Sequence, residues 1–392
     1  MSLVLSPDQD QVAQQILTWL DAAIANGDPT TFRVGGYAGT GKTTILAAIV
    51  EYALDMGLSV ACVSLTGKAV SVMRAKLPPE VRTSTIHSLL YRPVIDKQTR
   101  AIIGWDKRMM AEPDREPDEH QFKHIDLLIN DEASMTSEDL YHDLCEHGFP
   151  ILAVGDHGQL PPIGTDFNLM KDPDTRLEKI HRQAENNPIL RIAHLARNVG
   201  WLRTKDYTPT VRVLDQNSVP EDVGKLMLKG SKKNMVICGT NALRIAMNVS
   251  IMAQRGRDVR KDPAPQEGDR IICLRNDDTL GLFNGALGTV LRIDKDWGEH
   301  ISAAVKFDHL DEPLLVTIAL WAFNKVKPTH PAGPRVPGLP FDYGYCLTCH
   351  KAQGSEAHRV FVIGRGFGDS DMRKRWLYTA VTRAREELYV LQ

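Results

Sequence analysis

The chain has 392 residues, which is long enough for two or three domains that each bury a hydrophobic core. Hydrophobic residues make up 43% and charged residues 24%, and no stretch approaches the roughly 18 consecutive apolar residues of a membrane span. A formal net charge of −2 leaves a nucleic-acid partner open, because a local basic groove is sufficient to attract one.

The N-terminal sequence MSLVLSPDQDQ lacks the basic and apolar regions of an export signal. The six cysteines are scattered along the chain with one close pair, which argues against a disulfide framework and against a four-ligand zinc site. We therefore expect a protein of a reducing cytoplasm.

The first predicted elements follow the order of a parallel α/β sheet. Residues 9–25 place Val12, Ile16, Leu20 and Ile24 at helical spacing. The run TFRV, a glycine-rich turn, the helical run TTILAAIVEYALDMG and the β-branched run SVACVSL follow. Strand, helix and strand in this order predict a parallel βαβ unit.

Residues 91–124 interrupt this order, because they are rich in charge and proline and carry an isolated apolar patch at Ile102, Ile103 and Trp105. We interpret them as an insertion. The runs HIDLLIN and PILAVGD then predict two further strands, and SEDLYHDLCEHG predicts a short helix between them. The first α/β domain is therefore expected to cover residues 1–177.

A second α/β unit is predicted to begin near Asn186 and to include the strand NMVICG. Residues 264–340 change to short β-like runs such as DRIICL and LGTVLRI, separated by Gly, Asp and Pro, which favours a small barrel. The run RVFVIG and a final helix and strand return to the α/β pattern. The second domain would then consist of residues 178–263 and 341–392.

The segment YCLTCHKAQGSE contains the spacing C-x-x-C-H at Cys346, Cys349 and His350, which is the attachment pattern of c-type haem. Covalent haem is normally attached in an exported or organellar compartment, and the sequence shows no signal for either. An electron carrier therefore remains an alternative with little support.

The segment GYAGTGKT, from Gly36 to Thr43, matches G-x-x-x-x-G-K-[ST] between a predicted strand and a predicted helix. Its glycines allow the backbone N–H groups to surround phosphates. Lys42 can reach the β- and γ-phosphates, and the Thr43 hydroxyl can ligate Mg²⁺. The pattern predicts binding of ATP or GTP.

Three carboxylates and a glutamine follow the next predicted strands. IDLLINDEAS ends in Asp131, a candidate for holding Mg²⁺, and Glu132, a candidate for activating water. Helix capping is the alternative role of this pair. VGDHGQLPP offers Asp156 and Gln159, and Gln159 is either a sensor of the γ-phosphate or a turn residue.

The segments GYAGTGKTT, INDEASM, VGDHGQLPPIG, TCHKAQGSE and YTAVTRA, in this order, resemble motifs I, II, III, V and VI of the superfamily 1 helicases. The likeness extends over nearly the whole chain and is to the RecD and Dda-type branch. Three further segments resemble other motifs of the family: LSPDQ, LTGKAV and TSTIHSLL. In this frame Cys346 and Cys349 are ordinary residues of motif V.

The resemblance implies two RecA-like parallel-sheet domains, with a small pin hairpin within 91–124 and an SH3-like barrel within 264–340. It implies catalytic roles for Lys42, Thr43, Asp131, Glu132, Gln159, Arg182 and Arg383. It implies contacts with ATP from Gln9, Gly36, Gly39, Thr40, Gly41, Lys42, Thr43, Thr44 and Glu356, with Mg²⁺ held by Thr43 and Asp131. It implies contacts with DNA from Thr66, Thr85, His87, Trp105, Thr348, His350 and Lys351.

Several of these roles have a structural alternative. Gln9 could be a solvated helix residue, His87 a structural histidine, and Trp105 a buried partner of Ile102 and Ile103. Arg182 and Arg383 could form surface ion pairs, although an arginine at the γ-phosphate would accelerate hydrolysis by orders of magnitude. If Arg383 lies in a helix, it shares a face with Thr379.

The sequence departs from the family at three places. Asn130 replaces an apolar or small residue before Asp131, Leu65 replaces a proline, and the 91–124 insertion is short for a pin. Neither substitution removes a catalytic group. The short insertion keeps open a translocase, or a motor subunit of a larger recombination complex, that does not separate strands by itself.

The resemblance implies a DNA helicase that hydrolyses ATP with Mg²⁺ and moves 5′ to 3′ on single-stranded DNA. Its expected partners are single strands, single-strand/duplex junctions and replication or recombination proteins, and no membrane. We expect a monomer from the cytoplasm of a bacterium or a phage-infected host.

Overall fold

The computed structural model describes residues 5–95, 102–108, 125–162, 167–179, 187–277, 280–330, 336–364, 366 and 368–392. The chain divides into two compact units, Met1–Ala184 and Glu185–Gln392. Among the helices described, none is long and apolar enough to cross a membrane.

The first unit is an α/β domain. Its helices are α1 (Pro7–Asn26), α2 (Lys42–Asp55), α3 (Gly67–Arg74), α4 (Ile86–Leu90) and α5 (Glu138–Cys145). Its strands are β1 (Thr31–Gly36), β2 (Val60–Ser64), β3 (Arg82–Thr85), β4 (Tyr91–Ile95), β5 (Ile102–Lys107), β6 (Leu127–Asp131), β7 (Ile151–Gly155) and β8 (Thr175–Leu177). Six of these strands form one sheet in the order β3-β2-β6-β7-β1-β8, and all neighbours are parallel.

The start of α1 shows why the local sequence folds as predicted. Pro7 occupies the first turn, and Ser6 and Gln9 form a reciprocal capping box. The helix buries Val12, Ile16 and Leu20 against the sheet core. The predicted periodicity is therefore confirmed for these three residues, whereas Ile24, in the last turn of the helix, is 41% exposed.

The sheet separates two hydrophobic clusters because successive side chains of a strand point to opposite faces. Leu127 and Ile129 of β6 lie in the cluster formed with α1 and α2, whereas Leu128 lies in the cluster that contains residues of α4 and α5. The carboxyl ends of β1, β2, β6 and β7 meet at one edge, since these strands are parallel and in register. Loops at this edge carry the candidate functional residues.

The insertion contains an antiparallel hairpin, in which Tyr91 pairs with Lys107 and Val94 with Gly104. A small hairpin within 91–124 was expected. The Trp105 side chain lies outside the part of the chain that is described, so its predicted role stays a prediction.

The second unit combines an α/β sheet with a barrel. Its helices are α6 (Pro188–Val199), α7 (Glu221–Leu228), α8 (Asn241–Gln254), α9 (Cys349–Ala352) and α10 (Ser370–Val381). Its strands are β9 (Lys205–Thr208), β10 (Val211–Leu214), β11 (Asn234–Cys238), β12 (Arg270–Cys273), β13 (Leu287–Asp296), β14 (His300–Phe307), β15 (Leu314–Ala319), β16 (Leu339–Tyr343), β17 (Cys346–Thr348), β18 (Ala357–Ile363) and β19 (Ala384–Leu391).

The sheet of the second unit has the order β17-β11-β18-β19-β10-β9, and it is parallel except for β9. Strands β12 to β16 close into a five-stranded barrel. The predicted α/β fold with two parallel sheets and a small barrel is confirmed.

Candidate functional site

The glycine-rich loop between β1 and α2 has the backbone of a phosphate cradle. Gly39 and Gly41 adopt φ of 82° and 85°, a region that other residues rarely occupy. A Cβ atom at Gly36 would lie 2.8 Å from Thr40 Oγ1 and 3.0 Å from Lys42 Cγ. The loop therefore needs glycine at these positions.

Lys42, the first residue of α2, folds over this loop. Its Nζ donates to the carbonyls of Gly36 at 2.7 Å and Tyr37 at 3.0 Å. The ammonium group is thus held inside the loop, where a nucleotide phosphate would exchange for these carbonyls. Thr43 follows as an exposed residue, so its hydroxyl can reach a metal ion.

Gln9 contacts the same loop. It is 4% exposed, and its Nε2 donates to the Thr40 carbonyl at 3.4 Å. Its Oε1 accepts the Ser6 backbone N–H at 2.9 Å within the capping box. Burial excludes the alternative of a solvated helix residue, whereas recognition of adenine stays a prediction.

Asp131 is the last residue of β6, and its carboxylate is a candidate ligand for a cation. Its Oδ1 accepts the backbone N–H of Glu132 at 2.9 Å. Burial, with a further contribution from the charge of Glu132, raises the pKa of Asp131 to about 6, although Lys42 opposes the shift. A bound divalent cation would compensate this desolvated carboxylate, so the residues present fit Mg²⁺.

Glu132 has a strained backbone and an unpaired carboxylate oxygen. Its φ is 56°, and among the described residues Asn324 is the only other non-glycine residue with positive φ. Its Oε2 is buried and makes no hydrogen bond within the described part of the chain. Its side chain also does not cap the short 3-10 helix Ala133–Met135. Capping, the alternative for this residue, is therefore not observed, and strain of this kind is typical of functional sites.

The loop after β7 brings a third group to this edge. Asp156 accepts the Gly158 backbone N–H at 2.9 Å and the Gln159 Nε2 at 3.4 Å. Gln159 is buried and belongs to this turn, as one predicted alternative has it. The turn follows β7 at the same edge of the sheet, so the other alternative, a sensor of the γ-phosphate, stays a prediction. The His157 ring lies 4.1 Å from the Tyr37 ring, which joins this loop to the phosphate loop. Sequence reasoning missed this contact, because nothing in either segment signals it.

Three candidate DNA contacts of the first unit, Thr66, Thr85 and His87, lie at or near the starts of α3 and α4. Thr66 and Thr85 cap these helices, since their Oγ1 atoms accept the N–H groups of Ala69 at 3.3 Å and Ser88 at 3.1 Å. An accepting hydroxyl still has a proton to donate, so capping leaves a phosphate contact open. His87 is exposed, so it does not have the buried position that is typical of a structural histidine.

In the second unit, Arg383 lies directly after α10 rather than within a helix. It is 6% exposed, and its guanidinium donates to the Thr379 carbonyl at 3.1 Å and the Thr382 hydroxyl at 3.1 Å. Within the described residues, no carboxylate forms an ion pair with it. The surface ion pair considered as an alternative is therefore not observed. Arg182 lies outside the described residues.

The end of the motif V segment lies beside Arg383, because the Ala357 N–H donates to the Arg383 carbonyl at 3.0 Å. Glu356 is exposed and pairs with Arg385 at 2.9 Å. Its predicted contact with ribose would replace or share this ion pair.

Thr348, His350 and Lys351 lie at the junction of β17 and α9. The Thr348 hydroxyl does not cap α9. Burial lowers the pKa of His350, and burial together with the charge of Arg244 lowers the pKa of Lys351. Their predicted contact with DNA stays a prediction.

Cys346 and Cys349 are buried in the core of the second unit and have different neighbours. The Cys346 Sγ lies 3.7 Å from the Cys238 Sγ, and the Cys349 Sγ donates to the Trp376 carbonyl at 3.5 Å. Because neither thiol reaches the surface, attachment of a porphyrin would require the core to open. The haem interpretation is rejected on this ground.

Two known families match parts of this chain. Residues 4–212 match the AAA domain family, and residues 343–391 match the UvrD-like helicase C-terminal domain. The chain belongs to the AAA domain family. The predicted resemblance is therefore confirmed, at the level of a RecD/Pif1-type helicase.

Individual helicases support this assignment. The ATP-dependent RecD2 DNA helicase of Deinococcus radiodurans is 29% identical over 378 residues, which cover 90% of this chain and 46% of the relative. The chain thus spans about half the length of that helicase. Two solved structures share the fold. A structure of Pif1 helicases at forked double-stranded DNA is 18% identical, with TM-score 0.57, and the match covers 99% of this chain and 92% of that chain. A structure of Bacteroides Pif1 with ADP-AlF3 and single-stranded DNA is 19% identical, with TM-score 0.55, and the match covers 100% of this chain and 92% of that chain.

Proposed function

We propose that this protein is an ATP-dependent DNA helicase that moves 5′ to 3′ along single-stranded DNA and separates duplex DNA. The observation that carries the proposal is the carboxyl edge of the first sheet. There, a half-buried glutamate with one buried, unpaired oxygen follows a desolvated aspartate beside the phosphate loop. This is the arrangement that hydrolysis of a nucleoside triphosphate requires.

Each residue of this edge has a proposed task. Lys42 leaves the loop carbonyls and pairs with the β- and γ-phosphates, while the N–H groups of Gly39 to Thr44 surround them. Glu132 accepts a proton from the attacking water, and Gln159 orients that water or the γ-phosphate. Mg²⁺, held by Thr43 and Asp131, would neutralise phosphate charge. Gln9 would contact the base and Glu356 the ribose.

Arg383 is the proposed source of positive charge for the transferring phosphoryl group, with Arg182 in a similar role. A guanidinium that is held by a carbonyl and a hydroxyl, rather than by a carboxylate, keeps its full charge for a phosphate.

DNA is the proposed substrate because the structures that share this fold contain single-stranded or forked DNA. Thr66, Thr85 and His87 are the proposed contacts in the first unit. Thr348, His350 and Lys351 are those in the second. The hairpin of β4 and β5 is the proposed pin. Trp105 pairs with Pro93 in the middle of this hairpin, so it is proposed as a supporting residue of the pin and not as its tip. The closed barrel, predicted within 264–340 and observed with strands from Arg270 to Tyr343, is the proposed SH3-like accessory domain. We propose a monomer that acts in the cytoplasm.

Partial duplexes with only a 5′ or only a 3′ single-stranded tail test this function, with Lys42→Ala as the inactive control. We expect ATP-driven strand separation of the 5′-tailed duplex alone. Separation of the 3′-tailed duplex would reverse the polarity, and nucleotide-independent separation would contradict a motor function.

A translocase or motor subunit is the second candidate, and the short hairpin favours it, since each strand has five or six residues. This candidate predicts ATPase activity that DNA stimulates, with no strand separation on either duplex.

A further inference from the structure

Asn130, the residue before Asp131, is a buried polar residue with one unpaired atom, which is unfavourable for the stability of the fold. It is 0% exposed and lies in β6 between Val63 of β2 and Ala153 of β7. Its Oδ1 has no hydrogen-bond partner in the described part of the chain. A buried amide oxygen without a partner is unfavourable, and an apolar side chain would suit these neighbours.

The amide nitrogen shows what Asn130 contributes. Its Nδ2 donates to the Thr136 hydroxyl at 3.0 Å, and Thr136 is 1% exposed. This bond joins the end of β6 to the residue that ends the 3-10 helix Ala133–Met135. The bond therefore connects the segment before Glu132 with the segment after it.

Glu132 needs such a closure because its backbone is in the left-handed region. A residue other than glycine keeps that conformation only where the surrounding structure enforces it. Backbone bonds from Met135 to the Glu132 carbonyl and from Thr136 to the Ala133 carbonyl, both 3.1 Å, fix the turn from inside. The Asn130–Thr136 bond attaches the same turn to the sheet.

We propose that Asn130 and Thr136 form a clasp that positions Glu132 for catalysis. The two residues touch neither nucleotide nor metal in this proposal, because Asn130 lies on the opposite face of β6 from Asp131. They act on the rate of the chemical step through the direction of the Glu132 carboxylate. The inference rests on the proposed function, since it assumes that Glu132 activates water.

Asn130→Leu is the main test, because leucine has a similar size and removes both the clasp and the unpaired oxygen. We expect kcat for ATP to fall about tenfold, while KM and the affinity for a fluorescent ATP analogue stay within about twofold. The thermal unfolding temperature should change little, because the variant removes the unpaired Oδ1 but also leaves the buried Thr136 hydroxyl without its donor. An unchanged kcat, or a parallel loss of nucleotide affinity, would overturn the proposal.

Thr136→Val removes the other half of the clasp and carries the test if Asn130→Leu fails to fold. The double variant should be no slower than either single variant, because both changes break one bond. Multiplied effects, about a hundredfold in total, would show that the residues act separately and would overturn the clasp. Thr136→Ser keeps the hydroxyl and should restore kcat to within about twofold of the unmodified protein.

Tyr141→Phe is the matched control, because it removes a hydrogen bond of the same kind in the same unit, from Tyr141 to the Thr31 hydroxyl at 3.1 Å. It should leave kcat unchanged. Failure of the proposed function is distinguishable, since the unmodified protein would then show no ATPase activity, or Glu132→Gln would retain full activity.

Discussion

The carboxyl edge of the first sheet and the junction between sheet and barrel in the second unit both contain desolvated carboxylates, but these carboxylates have different numbers of hydrogen-bond partners. At the junction, Asp342 accepts bonds from Arg244 and from the backbone N–H groups of Asn324 at 3.0 Å and Tyr343 at 2.8 Å. At the edge, Asp131 is held by a single backbone bond, and one oxygen of Glu132 has no partner among the described residues.

A second carboxylate of the junction confirms the contrast. Asp269 pairs with Arg257 and accepts bonds from the Gln266 backbone at 2.8 Å and the Tyr345 hydroxyl at 3.3 Å. A buried charge with a full set of partners fixes the fold around it. A buried charge that lacks partners destabilises the fold and is available to a ligand or a reacting group. The difference separates structural from chemical roles within one chain.

Glu132→Gln should have the largest effect on activity. Removing the base should reduce kcat for ATP by about 10²- to 10⁴-fold, while the affinity for ATP stays close to that of the unmodified protein. Steady-state ATPase and nucleotide-binding assays measure the two quantities. Glu138→Gln, at the exposed start of α5, is the control and should leave both unchanged. Full turnover by Glu132→Gln would mean that the unpaired oxygen has no chemical role.

Arg244→Ala should have the largest effect on stability, because it leaves Asp342 buried without its cation. Loss of one partner of a buried pair costs about 3–5 kcal/mol of unfolding free energy. Chemical denaturation measures it, and Lys225→Ala is the control, since the Lys225–Glu221 pair is exposed and its loss should change little. Equal losses of unfolding free energy in the two variants would contradict the structural role of the buried Arg244–Asp342 pair.

Asp131→Asn should increase the stability of the protein but decrease its ATPase activity. The pKa of Asp131 is raised from 3.8 to about 6, so its protonated form is favoured in the folded state. The stabilisation from this carboxyl group is present below pH 3.8 and is lost as pH rises through about 6. Above that pH the variant should be more stable than the unmodified protein by about 3 kcal/mol in metal-free buffer.

The same variant should lose ATPase activity, because an amide holds Mg²⁺ less strongly than a carboxylate. Thermal unfolding at pH 5 and pH 8 tests the stability. A variant that is less stable than the unmodified protein at pH 8 would show that Asp131 belongs with the structural carboxylates.

Cys346→Ala combined with Cys349→Ala should have the smallest effect on activity. Both thiols pack in the core and hold no ligand in the proposed function. We expect ATPase activity within about twofold, with a modest loss of stability from the smaller side chains. Complete loss of ATPase activity in a folded variant would reopen the case for a ligand at this pair.

Local sequence was sufficient for much of the fold. The start of α1, the strand–loop–helix around Lys42 and the alternating burial of β14 follow from capping residues, glycines and periodicity. The position of Arg383 did not follow, because the end of α10 depends on how the chain enters β19. Closure of the barrel also required contacts between distant segments, such as β12 with β16.

The sequence by itself determined the identity and order of the reactive groups, since Lys42, Asp131 and Glu132 each follow a strand signal that is local. Tertiary structure decided which of them are desolvated, strained or already paired. The strain at Glu132, the clasp from Asn130 to Thr136 and the ring contact from Tyr37 to His157 belong to this second group. Hydrogen bonding and burial depend on neighbouring strands and loops that the chain brings together only when it folds.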